Sequence, residues 1–182
     1  MAEWPLVTFG HGTAAIEEII SLLRGAGVVS LVDVRTAPGS RRNPAVARTE
    51  LERSLPESGI GYRWEKRLGG FRKVPAGSPD VVWRNDAFRG YAAHMRTDPF
   101  LVAVDEVLVE AAERPTAVMC SESVWWRCHR RMIADFALFA RGVPVSHLMH
   151  DGRLEKHRVS EGARLRDDGL LVYDGGQERL PS

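Results

Sequence analysis

Two short apolar runs, Leu6–Gly10 and Val28–Val34, lie on either side of one amphipathic segment near the start of the chain. Thr13 is placed to cap a helix in this segment, and Gly25 and Gly27 are placed to end it. The apolar residues at helical spacing are Ile16, Ile19, Ile20 and Leu23. Two strands joined by a single helix pair in parallel, because a parallel pair requires a crossover connection. The opening of the chain therefore predicts a β-α-β unit.

The rest of the chain continues this alternation of strands and helices. The middle of the sequence predicts a loop at 36–47, a short helix at Arg48–Leu55, a strand at Gly61–Glu65, an irregular segment at Phe71–Val82 and a helix at Ala87–Met95. The later elements are a helix that begins at Asp98 and Pro99, a strand at Thr116–Cys120, a helix at 128–141, a strand at 143–149, a turn at Asp151 and Gly152, and a last strand at 170–173.

This order predicts one α/β domain over residues 1–182, with a mostly parallel open sheet, helices on both faces and a Rossmann-like arrangement. We expect its core at about residues 5–150 and a polar extension at 151–182. No apolar run approaches the roughly 20 residues of a membrane span. The N-terminus lacks the basic and apolar regions of a signal peptide. We therefore expect a cytoplasmic protein without a membrane partner.

Polar side chains follow three of the predicted strands. His11 follows the first strand, Asp33 and Arg35 end the second, and Cys120 and Glu122 end the strand that begins at residue 116. Ligands of open parallel sheets bind beyond the carboxyl ends of the strands, near the point where the strand order reverses. The sequence therefore predicts a site where these five residues converge.

Two kinds of chemistry are open to this site. Glu122 can act as a general acid or base or stabilise a developing cation, and Asp33 is a second carboxylate for that role. Cys120 can act as a nucleophile if a helix N-terminus and nearby arginines stabilise its thiolate. Against these roles, Cys120 also fits a small buried apolar residue, and Asp33 also fits a structural ion pair with Arg35.

The charge pattern favours an anionic ligand. Residues 35–73 hold ten Lys/Arg and four Asp/Glu, a balance of +6 within a chain of net charge +1. Nucleic acid or another phosphate-bearing anion fits such a segment, although a solvated arginine-rich loop fits it equally well. The predicted binding residues are the loop residues Ser40, Arg41 and Arg42, the helix-start residues Arg127, His129 and Arg130, and Tyr62 and Trp126 as stacking surfaces.

Three well-defined functional motifs do not match the sequence. A phosphatase loop requires one residue fewer than the six that separate Cys120 from Arg127. The cysteines and histidines form no Cys-x-x-Cys pair, so no metal site is predicted. The run Gly10-His11-Gly12 lacks the spacing of a dinucleotide-binding loop, and no cofactor is expected.

Together these blocks resemble the bacterial and archaeal domain-of-unknown-function family 488. The matching pieces are Phe9-Gly10-His11, Asp33-Val34-Arg35 with Pro38 and 40–42, Tyr62, Leu68-Gly69-Gly70, Tyr91 with Met95, Met119-Cys120-Ser121-Glu122 and Cys128-His129-Arg130. The resemblance spans roughly residues 8–150 and implies a compact α/β domain with an enzyme-like site.

Three functions remain open from the sequence. The first is an enzyme on nucleic acid or nucleotides, a hydrolase of an N-glycosidic bond of the DNA glycosylase type, with Glu122 or Asp33 stabilising the sugar cation. The second is a thiol enzyme with Cys120 as nucleophile and Arg127 or Arg130 lowering its pKa. The third is a nucleic-acid binding module without catalysis.

Overall fold

A computed structural model describes residues 4–39 and 43–176 of the chain. The strands are β1 (Leu6–Gly10), β2 (Ser30–Asp33), β3 (Gly61–Trp64), β4 (Thr116–Cys120), β5 (Val145–Leu148), β6 (Leu154–Lys156), β7 (Arg164–Leu165) and β8 (Leu171–Val172). The helices are α1 (Ile16–Gly25), α2 (Arg48–Glu57), α3 (Asp86–His94), α4 (Asp98–Glu113) and α5 (Arg130–Asp135), which continues as a π-helical segment at Phe136–Ala140.

The first six strands form one sheet in the order β3-β2-β4-β1-β5-β6. All neighbours are parallel except β5 and β6, which are joined by the hairpin turn at Asp151 and Gly152. The predicted α/β fold with a mostly parallel, Rossmann-like sheet is confirmed. A small antiparallel ribbon of β7 and β8 lies outside this sheet, and the sequence analysis missed β6 and β7.

Alternate residues of the buried strands enter two separate apolar cores. Val7 and Phe9 of β1 pack with α1 and α2 on one face of the sheet, while Leu6 packs on the other face with α4 and α5. This alternation follows from the two-residue period of a strand. Helices on both faces explain why β1, β2 and β4 are buried throughout.

Several predicted boundaries differ from the observed ones. Thr13 does not cap α1, because the helix starts three residues later with Ala15 as its N-cap. The N-cap of α4 is Thr97, so Asp98 lies in the first turn. The last long helix begins at Arg130 rather than 128, because a separate 3-10 turn occupies Trp125–Arg127. The order of elements is unchanged by these shifts.

The last strand of the C-terminal extension is built into the core. Leu171 and Tyr173 are buried, and the backbone N–H of Tyr173 donates to Asp80 Oδ1 at 3.0 Å. Asp80 also accepts from Arg96 at 2.6 Å. Most other described residues of the extension are polar and exposed, whereas this strand packs on the face occupied by α3 and α5.

The strand order places a crevice between β1 and β4. These two strands are neighbours, yet α1 after β1 packs on one face of the sheet and α5 after β4 packs on the other. Such a reversal is the switch point at which open α/β sheets bind ligands. Among the described residues, no helix combines the length and apolar character needed to cross a membrane.

Candidate active site

A cavity of about 460 Å³ opens at the carboxyl edge of the sheet, at the switch point between β1 and β4. Cavities of this size accommodate small-molecule ligands. Six residues that the sequence predicts for the site line it, namely His11, Arg35, Cys120, Glu122, Arg127 and His129. The strand ends and the start of α5 therefore converge as the topology requires.

A thiol and an imidazole are paired within this cavity. The His129 ring has Nε2 3.0 Å from the Val34 carbonyl oxygen, and that carbonyl can only accept, so Nε2–H is the donor. The other ring nitrogen, Nδ1, then faces the Sγ atom of Cys128 at 3.6 Å. The backbone N–H of Arg130 also donates to this sulfur, at 3.5 Å. Cys128 therefore has the partners that a thiolate needs.

The two cysteines of the chain lie against each other but differ in acidity. Burial raises the pKa of the Cys120 thiol well above its usual range, and the hydrogen bond to Cys128 raises it further. Burial also disfavours a Cys128 thiolate, but the hydrogen bonds from Cys120 and His129 and the charge of Arg130 outweigh it. They hold the pKa of Cys128 well below its usual range. Of the two thiols, Cys128 is therefore the more acidic.

Arg130 is buried directly behind the cavity, with 1% of its surface exposed. Its Nη2 donates to the Glu122 carbonyl oxygen at 2.5 Å and thereby fixes the loop that follows β4. Gly10 makes this contact possible, because a Cβ atom there would lie 1.8 Å from the same oxygen. No carboxylate of residues 4–39 or 43–176 lies within ion-pair distance of this guanidinium. A thiolate at Cys128 is therefore a favourable neighbour for it.

A chain of buried hydrogen bonds leads away from Arg130. Its Nη1 donates to Thr8 Oγ1 at 3.3 Å, and Thr8 Oγ1 is hydrogen-bonded to His147 Nδ1 at 2.5 Å. His147 Nε2 and His157 Nδ1 share a hydrogen bond at 2.8 Å, and His157 Nε2 donates to Asp135 Oδ1 at 2.7 Å. The donor at this last contact is the histidine, because a carboxylate only accepts. The two rings therefore form a relay between a buried cation and a buried carboxylate.

The relay is held rigidly at both ends. The Trp125 ring stacks on His147 with centroids 4.0 Å apart and planes at 4°. Asp135 accepts two further hydrogen bonds, from the Tyr173 hydroxyl at 2.7 Å and from the backbone N–H of Ser160 at 2.9 Å. Burial, together with the charges of His157 and Arg130, lowers the pKa of His147 to about 3. The C-terminal extension therefore supports Arg130 from behind.

Arg35 is a second ordered cation, on the opposite side of the cavity. Its Nη2 donates to Asp33 Oδ2 at 2.6 Å, and the Tyr62 hydroxyl donates to the same oxygen at 2.5 Å. The Nη1 atom lies 3.4 Å from His11 Nε2, which accepts because His11 Nδ1 donates to the Gly12 carbonyl at 2.9 Å. Burial lowers the pKa of His11 and keeps it neutral beside the guanidinium. Asp33 has no exposed surface, so it positions Arg35.

Glu122 lies at the exposed edge of the cavity. One carboxylate oxygen, Oε1, accepts from the backbone N–H of Val124 at 3.0 Å, which orients the side chain. The Glu122 backbone carbonyl accepts from Arg130, and the Cys120 thiol lies 3.8 Å from the same oxygen. The carboxylate is therefore solvated and available to a ligand, whereas its backbone is fixed.

The other predicted residues lie away from the cavity surface. Tyr62 and Arg130 act from behind it, as described above. Trp126 is 45% exposed and packs edge-on against Trp125, outside the lining. Ser40, Arg41 and Arg42 lie outside the described residues, so their predicted phosphate contacts stay predictions.

The basic segment is partly neutralised by acidic partners. Arg63 and Arg67 share Glu65, and they also reach two acids of α4, Glu110 and Glu106. Arg48 and Arg53 pair with acids of their own helix, α2. The count of charges along the sequence therefore overstates the positive charge that this face offers to a nucleic acid.

Several residues of the cavity are not among those predicted from the sequence. The sequence places Cys128 at the start of a helix, and the adjacent His129 is the signal that identifies a thiol-imidazole pair. Phe71, Asn85, Phe88 and Tyr91 form an apolar and amide-bearing wall from the irregular segment and α3. No sequence pattern links these residues to the strand ends, because the contact depends on how the segment folds back.

Comparison with known proteins gives a family and no activity. Residues 15–137 match the family described as Domain of unknown function DUF488. No curated protein matches the chain. No solved structure matches it either. Within residues 4–39 and 43–176, no group of three or more His, Cys, Asp or Glu side chains is arranged to hold a metal ion.

Proposed function

The chain belongs to the DUF488 family, a family of unknown function, and we propose from its own site that it is a thiol-dependent enzyme with Cys128 as nucleophile. The observation that carries this proposal is the contact between Cys128 Sγ and His129 Nδ1, 3.6 Å apart inside the cavity at the switch point. A nucleophile, its base and a third group that orients the base form the arrangement expected of covalent catalysis. Here the Val34 carbonyl orients the base.

The buried charge of Arg130 also supports Cys128 as the nucleophile. Arg130 is almost fully buried and has no carboxylate partner among the described residues at ion-pair distance. An uncompensated buried cation is unfavourable unless an anion is near it. A thiolate at Cys128 supplies that anion. The relay of hydrogen bonds also connects the Arg130 guanidinium to the Asp135 carboxylate. The protein therefore stabilises the reactive form of this thiol at rest.

The reaction class that follows is hydrolysis through a thiol intermediate. At rest His129 Nδ1 holds the Cys128 proton, and the thiolate Sγ bonds to an electrophilic carbon of the substrate as the bond from that carbon to the leaving group breaks. The imidazolium gives its proton to the leaving group. Water then attacks the same carbon and gives one proton to His129 Nδ1, the S–C bond breaks, and the thiolate-imidazolium pair is restored.

The charges around the cavity select the substrate. Arg127 lines the cavity with an exposed side chain, and arginine forks bind carboxylate and phosphate groups through paired hydrogen bonds. Arg35 donates to Asp33 through Nε and Nη2 and keeps Nη1, beside His11, for a ligand. One exposed carboxylate, Glu122, lines the same cavity. We therefore expect a substrate with an anionic group beside its reacting centre.

N-glycosidic hydrolysis at Glu122 is a second candidate. It is favoured by the solvated carboxylate of Glu122 in the same cavity, since a carboxylate can stabilise a sugar cation. Turnover of nucleosides or damaged DNA distinguishes the two ideas. Glu122→Gln abolishes it and Cys128→Ser spares it if this candidate is right. Binding of nucleic acid with no turnover in any variant would instead favour a binding module.

Selective alkylation tests the thiol proposal. The full chain is treated with iodoacetamide at neutral pH, and the two cysteines are quantified by mass spectrometry. We expect Cys128 to react at least about tenfold faster than a free thiol, because the thiolate is the reactive form, and Cys120 to lag behind. Cys120→Ser is the matched control and should keep the fast reaction, whereas Cys128→Ser should lose it. Slow or equal reaction of both thiols would overturn the proposal.

A further inference from the structure

Phe71 stands in solvent at the mouth of the cavity. Its surface is 89% exposed, compared with 61% for Val109, the next most exposed large apolar side chain of the described chain. Its φ angle is 57°, and it is the one non-glycine residue with a positive φ among residues 4–39 and 43–176. A bulky residue is rarely found in this conformation, and such residues concentrate at ligand sites. The exposed ring and the strained backbone therefore call for a functional explanation.

The segment around Phe71 is fixed on both sides. A Cβ atom at Gly70 would lie 3.2 Å from His129 Nδ1, so the chain passes directly over the thiol-imidazole pair. On the other side, a Cβ atom at Gly90 of α3 would lie 1.9 Å from the Arg72 carbonyl oxygen. The Arg72 side chain also donates to the Gly69 carbonyl at 3.1 Å. Phe71 is thus presented by a clamped segment and not by a free loop.

The cavity beside Phe71 is lined by two chemically different groups of residues. Phe71, Asn85 and Phe88 come from the irregular segment and the start of α3, whereas Arg35 follows β2 and Arg127 precedes α5. Aromatic side chains with one amide accept a flat ring that carries polar edges, and the arginines accept an anion. Both groups line one cavity of about 460 Å³, which is the size of a small-molecule site.

We propose that this cavity binds a flat ring attached to an anionic group, with the ring against Phe71 and the anion at Arg127 and the Nη1 edge of Arg35. Nucleoside monophosphates and simple aryl phosphates share this chemistry. The inference rests on the proposed function only in using the same cavity, and it names the substrate class of that site. Phe71 is then a substrate-contacting residue, placed so that the ring lies beside Cys128 and His129.

Calorimetric titration of Cys128→Ser tests this inference without thiol chemistry. The probes are uridine and adenosine 5′-monophosphate, phenyl phosphate, inorganic phosphate and uridine. We expect ring-bearing phosphates to bind about tenfold or more tighter than inorganic phosphate, which is the scale of one stacking contact, and uridine to bind weakly for lack of the anion. Tighter binding of the nucleotides than of phenyl phosphate would identify the nucleotide source, and the reverse order would identify simple aryl anions.

Substitutions at Phe71 complete the test. Phe71→Ala should remove the preference for ring-bearing phosphates and leave the affinity for inorganic phosphate unchanged, while Phe71→Tyr should keep the preference. Val81→Ala is the matched control, since Val81 is exposed and lies outside the lining. Equal affinity for all phosphates, no binding of any probe, or an unchanged preference in Phe71→Ala would overturn the inference. The preference for ring-bearing phosphates does not depend on the reactivity of Cys128. The binding test and the alkylation test can therefore contradict their two proposals independently.

Discussion

The imidazole of His129 lies with Nδ1 3.6 Å from the Sγ atom of Cys128, and it is the end of β2 that aims the ring. Its Nε2–H is committed to the Val34 carbonyl, so Nδ1 is left to exchange a proton with the sulfur. The end of strand β2 thus fixes the orientation of the His129 ring at the start of α5.

Removing this ring should slow the thiol. In His129→Asn, the alkylation rate of Cys128 near neutral pH should fall by at least about tenfold, which corresponds to a Cys128 pKa about one unit above the assay pH. The rate constant for iodoacetamide is the measurement. His150→Gln is the comparison, because His150 donates to the Gly10 carbonyl at 2.6 Å and does not line the cavity. An equal loss in both variants would point to general destabilisation rather than to a base.

Asp33→Asn should destabilise the fold strongly. Asp33 is fully buried and pairs with the almost buried Arg35, so the variant leaves a guanidinium without its counter-charge. Breaking one side of a buried ion pair costs about 3 to 5 kcal/mol. Tyr62→Phe removes one hydrogen bond to the same carboxylate and should cost about 1 kcal/mol. The free energy of unfolding in urea is measured for both variants. Equal losses of stability in Asp33→Asn and Tyr62→Phe would contradict a large contribution from the ion pair.

Gly10→Ala should distort the loop after β4. The added Cβ would meet the Glu122 carbonyl oxygen at 1.8 Å and Arg130 Nη2 at 2.7 Å. Overpacking of this kind costs about 1 to 3 kcal/mol, and it should also slow alkylation of Cys128. Gly25→Ala is the matched control, because a Cβ there meets nothing within 4 Å in the last turn of α1. A Gly10→Ala protein as stable and as reactive as the Gly25→Ala protein would contradict the packing described.

Acid should weaken the fold through His147. Burial lowers the pKa of His147 to about 3, while the unfolded chain takes up this proton near the ordinary value of 6.5. The unfolded state therefore binds more protons between these values, and stability falls as the pH drops, by up to about 1.4 kcal/mol per pH unit. Urea unfolding at several pH values measures this slope.

A His147→Gln variant provides the control for this slope. It should be less stable at neutral pH, because it breaks the chain of hydrogen bonds between Arg130 and Asp135, but its stability should fall less steeply with acid. Some slope should remain, since burial also lowers the pKa values of His11 and His94. An unchanged slope in His147→Gln would show that this ring does not carry the effect.

The sequence predicts the sheet and its functional edge because both follow from local patterns. Leu6–Gly10 and Thr116–Cys120 match the observed strands residue for residue, since buried strands are apolar throughout. Polar residues directly after these strands then converge by topology alone. This is why His11 and Glu122 line the observed cavity.

Contacts between distant segments could not be predicted in the same way. The relay joins Thr8 to His147 and His157, and Thr8 is far from both histidines in the sequence. Nothing in the sequence around these polar residues indicates that they contact each other. The placement of Phe71 depends on glycines that permit close approach to His129 and Arg72, and such clearances exist only in three dimensions. The choice between Cys120 and Cys128 likewise depends on hydrogen bonds around each sulfur.

The most direct test of the central claim is a pH titration of the thiolate by its ultraviolet absorbance in Cys120→Ser, where Cys128 is the remaining cysteine. In this variant the serine hydroxyl can donate to Cys128 in place of the Cys120 thiol, and His129 and Arg130 still lower the pKa of Cys128 against its burial. The folded protein should therefore show thiolate absorbance at neutral pH and lose it as the pH falls. The urea-unfolded chain should gain it only near about pH 8.5. Coincident folded and unfolded titrations, or a folded midpoint above the unfolded one, would contradict the account.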